Sequence, residues 1–268
     1  MTEYPGRLVL LGNPVAHSLS PTFQNAALAS ANIPLKYEAL DVQAKSLPHL
    51  VRELKAISAA GNVTSPHKLA VYGACQHLTE LAARVGAVNT FWTKGGELHG
   101  DNTDVQGFDS AARALYGNDP NGAEILVLGA GGAAAAVLAA VEHWHGARVS
   151  VFSRRAERAS RLAEKFPDVA RVERNLKDAA SRATLVVNAT PIGQSDDEHP
   201  LDLSMVARQT AVMDLVYRRE GTPWIRAARQ RGHRAADGLA MLLEQGALSF
   251  QRWFGIEPDR EAMRRSLM

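Results

Sequence analysis

The chain has 268 residues, 46% of them hydrophobic and 22% charged, with a formal net charge of +2. That is enough apolar material for one large or two modest domains. The near-balance of charge favours neither nucleic acid nor a membrane surface as partner. The single cysteine, Cys75, excludes an internal disulfide and a cysteine-built zinc cluster, and suits a reducing cytoplasm.

Met1–Gly12 lacks a basic start and carries only a short apolar run, so no secretory signal is expected. Arg7–Leu11 reads as a first strand and about Pro21–Ala31 as a helix, with Ser20 as N-cap and Pro21 at N1. This leaves the Ser18 hydroxyl free for a polyol or a carboxylate. Tyr37–Leu40 reads as a second strand and Ser46–Ala59 as a helix. The polar turn Asn62-Val63-Thr64-Ser65-Pro66-His67 then leads into a helix with Lys68 in its first turn. A cation is electrostatically disfavoured at a helix N-terminus, which marks Lys68 as a functional candidate rather than a surface lysine. Cys75 reads as a half-buried thiol on a helix, not as a nucleophile.

Gly86–Trp92 reads as a strand, followed by a hairpin turn at Lys94-Gly95-Gly96. Asp104 stands at the start of the next helix, which runs through Leu115. Capping accounts for it, with Thr103 or Asn102 as the cap, and a place at the junction to a nucleotide domain is the functional alternative.

Ile125–Leu128 is an apolar strand, Gly129–Gly132 a glycine turn, and Ala133–Ala140 a small-residue helix. The spacing G-x-G-x-x-A at Gly129, Gly131 and Ala134, between a strand and a helix, is the context a dinucleotide fingerprint requires. The turn permits close approach of a pyrophosphate, and the helix start offers free N–H groups to it. A membrane span is the weaker reading, because the uncharged run is short and broken by glycine. A ligand-free strand–turn–helix is the other alternative. The strand Arg148–Phe152 ends in Ser153-Arg154-Arg155, with Arg158 one turn on. An NAD site places an acid there; guanidinium groups instead suit a ribose phosphate, so NADP is the expected cofactor. Thr184–Asn188 and Ala211–Leu215 read as further strands, with Tyr217 near the carboxyl edge of the second. Thr222–Arg231 reads as a helix ended by Gly232, and a last long helix runs from about Asp237 to Phe254. Met241, Leu242, Leu248 and Trp253 form its apolar stripe, and Gln245 is free to face a cleft.

Taken together, the motifs resemble the shikimate dehydrogenase family. They are Gly12–Pro21, Asn62–Lys68, Ala87–Thr90, Asn102–Gly107, Gly129–Ala133, Asn188–Gly193, Asp214–Tyr217 and Gly238–Gln245, in one order along nearly the whole chain. The resemblance implies an α/β fold of two domains: an N-terminal substrate domain with a mainly parallel sheet, from 1–104 and 238–268, and a Rossmann-like NADP-binding domain over 105–237. The last helix then returns to the first domain. It implies Lys68 and Asp104 as the catalytic pair, and substrate contacts from Ser18, Ser20, Thr64, Asn89, Asp104, Tyr217 and Gln245. For the cofactor it implies Gly129, Ala130, Gly131, Gly132 and Ala133, then Ser153, Arg154, Arg155 and Arg158. Asn188, Ala189, Thr190, Pro191, Leu215, Gly238 and Met241 complete that set.

The implied activity is NADP-dependent, reversible reduction of 3-dehydroshikimate to shikimate by a cytoplasmic monomer or homodimer. No metal, nucleic acid or membrane is involved. The alternatives are a quinate/shikimate dehydrogenase of broader use and a catalytically silent shikimate sensor. Four departures from the family pattern stand out: Gln24 for His, Ser153-Arg154-Arg155 for Asn-Arg-Thr, Gln194 for Met, and Arg218-Arg219 for Asn-Pro.

Overall fold

The computed structural model describes residues 4–117 and 119–268. Met1–Glu3, part of the stretch read for a signal, and Asn118 in the expected second domain lie outside the described residues. The chain divides into two compact units, Met1–Asp104 with Leu242–Met268, and Val105–Met241.

In the first unit the elements run β1 (Leu8–Gly12), α1 (Ser20–Ser30), β2 (Tyr37–Asp41), α2 (Leu47–Ala56), β3 (Ala60–Val63), α3 (Lys68–Ala74), β4 (His77–Leu78), α4 (Glu80–Val85), β5 (Thr90–Lys94) and β6 (Glu97–Asp101). The sheet order is β2-β1-β3-β5-β6-β4, in which β1 lies parallel to both β2 and β3 while β5 runs antiparallel to β3 and β6. Successive strand side chains point to opposite faces, and β1 divides its residues accordingly. Leu8 and Leu10 join a core cluster with Phe23 and Ala27 of α1 and Phe250 and Trp253, whereas Val9 and Leu11 join Leu54 of α2, Val71 of α3 and Phe91. Both faces are therefore covered, which is why β1 and β3 are buried throughout.

Val105–Met241 holds most of α5 (Asp104–Tyr116), then β7 (Glu124–Leu128), α6 (Gly132–Val141), β8 (Arg148–Phe152), α7 (Ala156–Lys165), β9 (Ala170–Val172), α8 (Leu176–Arg182), β10 (Leu185–Asn188), β11 (Ala211–Asp214), α9 (Pro223–Gln230) and β12 (Ala235–Ala236). Its sheet is parallel throughout, ordered β12-β11-β10-β7-β8-β9. Counted from β7, that is the doubly wound order 3-2-1-4-5-6, whose strand order reverses between β7 and β10. Every residue of α6 from Ala134 to Val141 is buried, small side chains letting the helix settle against its sheet. The chain then runs through α10 (Leu239–Phe254) to α11 (Arg260–Arg265).

Several expectations need correction. The strand read over Gly86–Trp92 begins only at Thr90, because Gly86, at φ 72°, closes α4 with a left-handed C-cap. The helix read over Ser46–Ala59 is confined to Leu47–Ala56, and Ala59 passes straight into β3. In α10 it is Phe250, not the half-buried Leu248, that fills the core beside Trp253.

Candidate active site

Within the first unit, the carboxyl ends of β1 and β3 lie side by side, joined where Thr64 N donates to Leu11 O at 2.8 Å. Ser18 and Ser20 follow the first of these strands, and Thr64 and Lys68 the second. Ser20 is the first residue of α1 rather than its cap, and its hydroxyl caps nothing. Instead Ser18 Oγ accepts from Ser20 N at 3.2 Å, so the hydroxyl expected to be free is the one tied to the helix start.

Lys68 opens α3 and Asp104 opens α5. Lys68 Nζ donates to Asp104 Oδ2 at 2.5 Å, with side chains 22% and 9% exposed. The pair is thus shielded enough for its charges to be felt, and the ammonium keeps one open side. Asp104 Oδ1 in turn accepts from Asn89 Nδ2 at 2.9 Å. The same amide lies 3.2 Å from Gln245 Oε1 and 2.9 Å from Thr103 Oγ1, while Asn89 Oδ1 accepts from Thr103 N at 2.8 Å. Lys68, Asn89, Asp104 and Gln245, distant in sequence, therefore form one hydrogen-bonded network.

Three further residues, Thr103, Ser249 and Asn62, join that network. Thr103 Oγ1 donates to Gln245 O at 3.0 Å, Ser249 Oγ donates to the same carbonyl at 2.8 Å, and Asn62 Nδ2 donates to Ser249 Oγ and to Asn89 O. Thr103 and Asn102 are the alternative caps expected for α5. Thr103 spends its hydroxyl on α10, and Asn102 Nδ2 donates to Ala87 O while its Oδ1 has no partner. The available signal for Ser249 was its place four residues after Gln245, on the same face of a helix.

In the second unit, Gly129 follows β7 at the point of strand reversal. Its φ is 115°, and a Cβ there would stand 2.8 Å from Ala189 O. Turn and β10 end therefore touch backbone to backbone, which only glycine allows. Gly131 and Gly132 are exposed at the start of α6, and a Cβ on Gly131 would meet nothing within 4 Å. A helix N-terminus with open space over it suits a pyrophosphate. Arg154, Arg155 and Arg158 follow β8, are exposed, and have no carboxylate partner among the described residues, while Ser153 Oγ accepts from Arg155 N at 3.3 Å. Unpaired guanidinium groups beside that turn fit a phosphorylated dinucleotide.

Beyond β10, Asn188 Nδ2 donates to Asp214 Oδ1 at 2.8 Å and to Ile192 O at 3.1 Å, and Asn188 Oδ1 accepts from Thr190 N and Oγ1. These bonds shape the Ala189–Pro191 segment. Gly238 has a Cβ position only 2.3 Å from Leu215 O, so the two expected cofactor residues are in backbone contact. Met241 is buried, and Tyr217 is half-buried just past β11.

Burial raises the Asp214 carboxyl to about 6, against hydrogen bonds from Thr222, Val216 N and Asn188 that favour the anion; the nearby Asp237 pushes it further up. Asp237 is itself raised, first by burial. The Cys75 thiol is pushed up to about 12 by burial, which leaves it no nucleophilic role. No group of three or more His, Cys, Asp or Glu suited to a metal occurs among the described residues, and no helix of theirs is long and apolar enough to cross a membrane.

The sequence matches three family models. These are the shikimate dehydrogenase substrate binding domain over residues 10–91, shikimate / quinate 5-dehydrogenase over 110–201, and the shikimate 5'-dehydrogenase C-terminal domain over 238–268. The shikimate dehydrogenase (NADP+) of Thermus thermophilus is 40% identical over 266 residues, covering 97% of this chain and 98% of its own. Among solved structures, the shikimate dehydrogenase of Aquifex aeolicus superposes with a TM-score of 0.90 at 32% identity, over 97% of each chain. The Thermus thermophilus shikimate 5-dehydrogenase in complex with NADP(H) and shikimate superposes at 0.88, with 38% identity over 97% of this chain and 98% of that one.

Proposed function

The chain belongs to the shikimate dehydrogenase family, and on that premise we propose that it is an NADP-dependent oxidoreductase. The reaction interconverts 3-dehydroshikimate and shikimate reversibly, in the supply of aromatic amino-acid precursors in the cytoplasm. NADPH supplies the hydride that reduces the substrate ketone. As the ketone becomes an alcohol, negative charge gathers on its oxygen, and a positioned cation lowers the energy of that change. Lys68 Nζ is that cation: it holds a proton, delivers it to the oxygen, and takes it back in the reverse direction. Asp104 keeps the ammonium in place through Oδ2 while Asn89 steadies Oδ1.

Ser18, Ser20, Thr64, Asn89, Tyr217 and Gln245 hold the hydroxyls and carboxylate of the substrate. The glycine turn at Gly129–Ala133 receives the pyrophosphate, and Ser153, Arg154, Arg155 and Arg158 the ribose phosphate. The Asn188–Pro191 segment, Leu215, Gly238 and Met241 line the nicotinamide end. The observation that carries this reading is the 2.5 Å Lys68–Asp104 contact, joined by hydrogen bonds to Asn89 and Gln245.

The test is nicotinamide absorbance with shikimate and NADP+, set against quinate and NAD+. Turnover of the first pair alone is expected; equal turnover of both would point to the broader quinate/shikimate enzyme, and turnover of neither would refute the assignment. In Lys68→Ala, kcat should fall by about three orders of magnitude with the NADP+ dissociation constant unchanged, since one charge-stabilising donor is worth roughly 10²–10³ and the proton is lost besides. An unaltered kcat would remove Lys68 from the chemistry.

A further inference from the structure

Arg218 stands where the resembled family has Asn, and its side chain makes contacts that an asparagine is too short to make. Its Nε donates to Gln194 O at 3.3 Å, Nη2 donates to Asp196 O, and Nη1 meets Asp197 Oδ1 at 3.2 Å. Its own backbone is held in a turn, where its carbonyl accepts from Gly221 N at 3.0 Å. The segment it grips belongs to the long connection from β10 to β11, which begins at Ala189. Residues 194–199 of that connection are exposed. The Asp196 carboxylate also accepts from Gly193 N and Glu198 N at 3.0 Å each, and Gln194 N donates to Pro191 O at 3.1 Å.

We propose that Arg218 is a positioning residue for the cofactor: its guanidinium clamps the 194–197 segment and so holds the preceding Asn188–Gly193 strand end in the shape that NADP(H) binds. A planar fork reaches two backbone carbonyls at once, which a lysine ammonium does not. The exposed ion pair with Asp197, whose side chain is 86% exposed, contributes little; the two carbonyl bonds carry the clamp. The inference rests on the NADP reading above for its effect on affinity, and on the contacts alone for its effect on the loop.

The test uses the full chain with Arg218→Ala, Arg218→Lys and Asp197→Ala. Amide hydrogen exchange of residues 193–198 without ligand, NADP+ affinity by calorimetry, and steady-state kinetics are read together. Losing two charge-assisted bonds, each worth about tenfold in an equilibrium, should speed exchange in Arg218→Ala at least tenfold and weaken NADP+ about five- to tenfold. Saturated kcat and the KM for shikimate should stay within about twofold. Arg218→Lys should fall between Arg218→Ala and the wild type, and Asp197→Ala should match the wild type. Unchanged exchange in Arg218→Ala, an equal effect of Asp197→Ala, or a loss of kcat at constant NADP+ affinity would each overturn the clamp. A wild-type chain that fails to bind NADP+ would overturn the functional reading and the affinity half of this proposal, with the exchange arm still deciding the loop half.

Discussion

Asp214 offers a measurement whose sign and size follow from its surroundings. Its side chain is fully buried at the end of β11, accepts from Asn188, Val216 N and Thr222, and has its carboxyl raised from 3.8 to about 6 chiefly by burial. A carboxyl raised on folding binds its proton more tightly in the native state, so its contribution to stability is fully present below pH 3.8 and is lost as the pH rises through about 6. A gap of roughly two pH units at about 1.4 kcal/mol each gives about 3 kcal/mol in all, of which about 2 kcal/mol falls between roughly pH 4.5 and 7.5.

Asp214→Asn removes this dependence while keeping the hydrogen bonds. The amide oxygen accepts from Asn188 and Val216, and the amide nitrogen donates to Thr222 Oγ1. Exchange of the β10 and β11 amides, corrected for intrinsic rate at each pH, measures opening of this unit. The variant should gain about 2 kcal/mol on the wild type as the pH rises across that window. A difference that stays flat, or that grows towards acid, would refute burial as the dominant influence on this carboxyl.

Two further outcomes are expected. Arg154→Ala and Arg155→Ala should each weaken NADP+ about tenfold or more while leaving NAD+ nearly unchanged, because in the proposed function the guanidinium groups serve only the extra phosphate; a calorimetric ratio of the two affinities checks this. Cys75 should react with an aromatic disulfide reagent at pH 8 at least about a hundredfold more slowly in the native protein than in urea, since burial pushes its thiol from 9.0 up to about 12. Equal rates would mean that the thiol is neither buried nor perturbed.

The second unit was the more legible half. β7 and β10 carry apolar runs and β8 falls at Arg148–Phe152 as its pattern indicates, whereas β9 and β12 are too short to give a pattern. Local chemistry alone specifies the glycine turn and the arginines after it. The first unit was harder, because there tertiary partners decide. Gly86–Trp92 carries a strand-like composition, but a left-handed glycine and a bend precede Thr90, and these place Asn89 where it meets Asp104. The roles of Ser18 and Ser20 were exchanged, since nothing in the sequence tells which of two neighbouring hydroxyls turns back to an amide. Thr103 and Ser249 were invisible for a related reason. Each matters only because α10 comes back to β3 and to the Thr103 segment, a meeting that no local window contains.

The first unit is assembled from both ends of the chain, with Phe250 and Trp253 filling the core begun by Leu8 and Leu10. A ribosome releases those residues only after the whole of Val105–Met241. During synthesis the opening hundred residues must therefore wait, unsealed and apolar, while the middle of the chain emerges and folds as a unit of its own. A nascent polypeptide halted with residues up to Met241 outside the exit tunnel and those after it still inside would carry a folded second unit behind an unfinished first one. Holdase chaperones should bind such an arrested chain through the β1 region and release it once the final helices have cleared the exit tunnel.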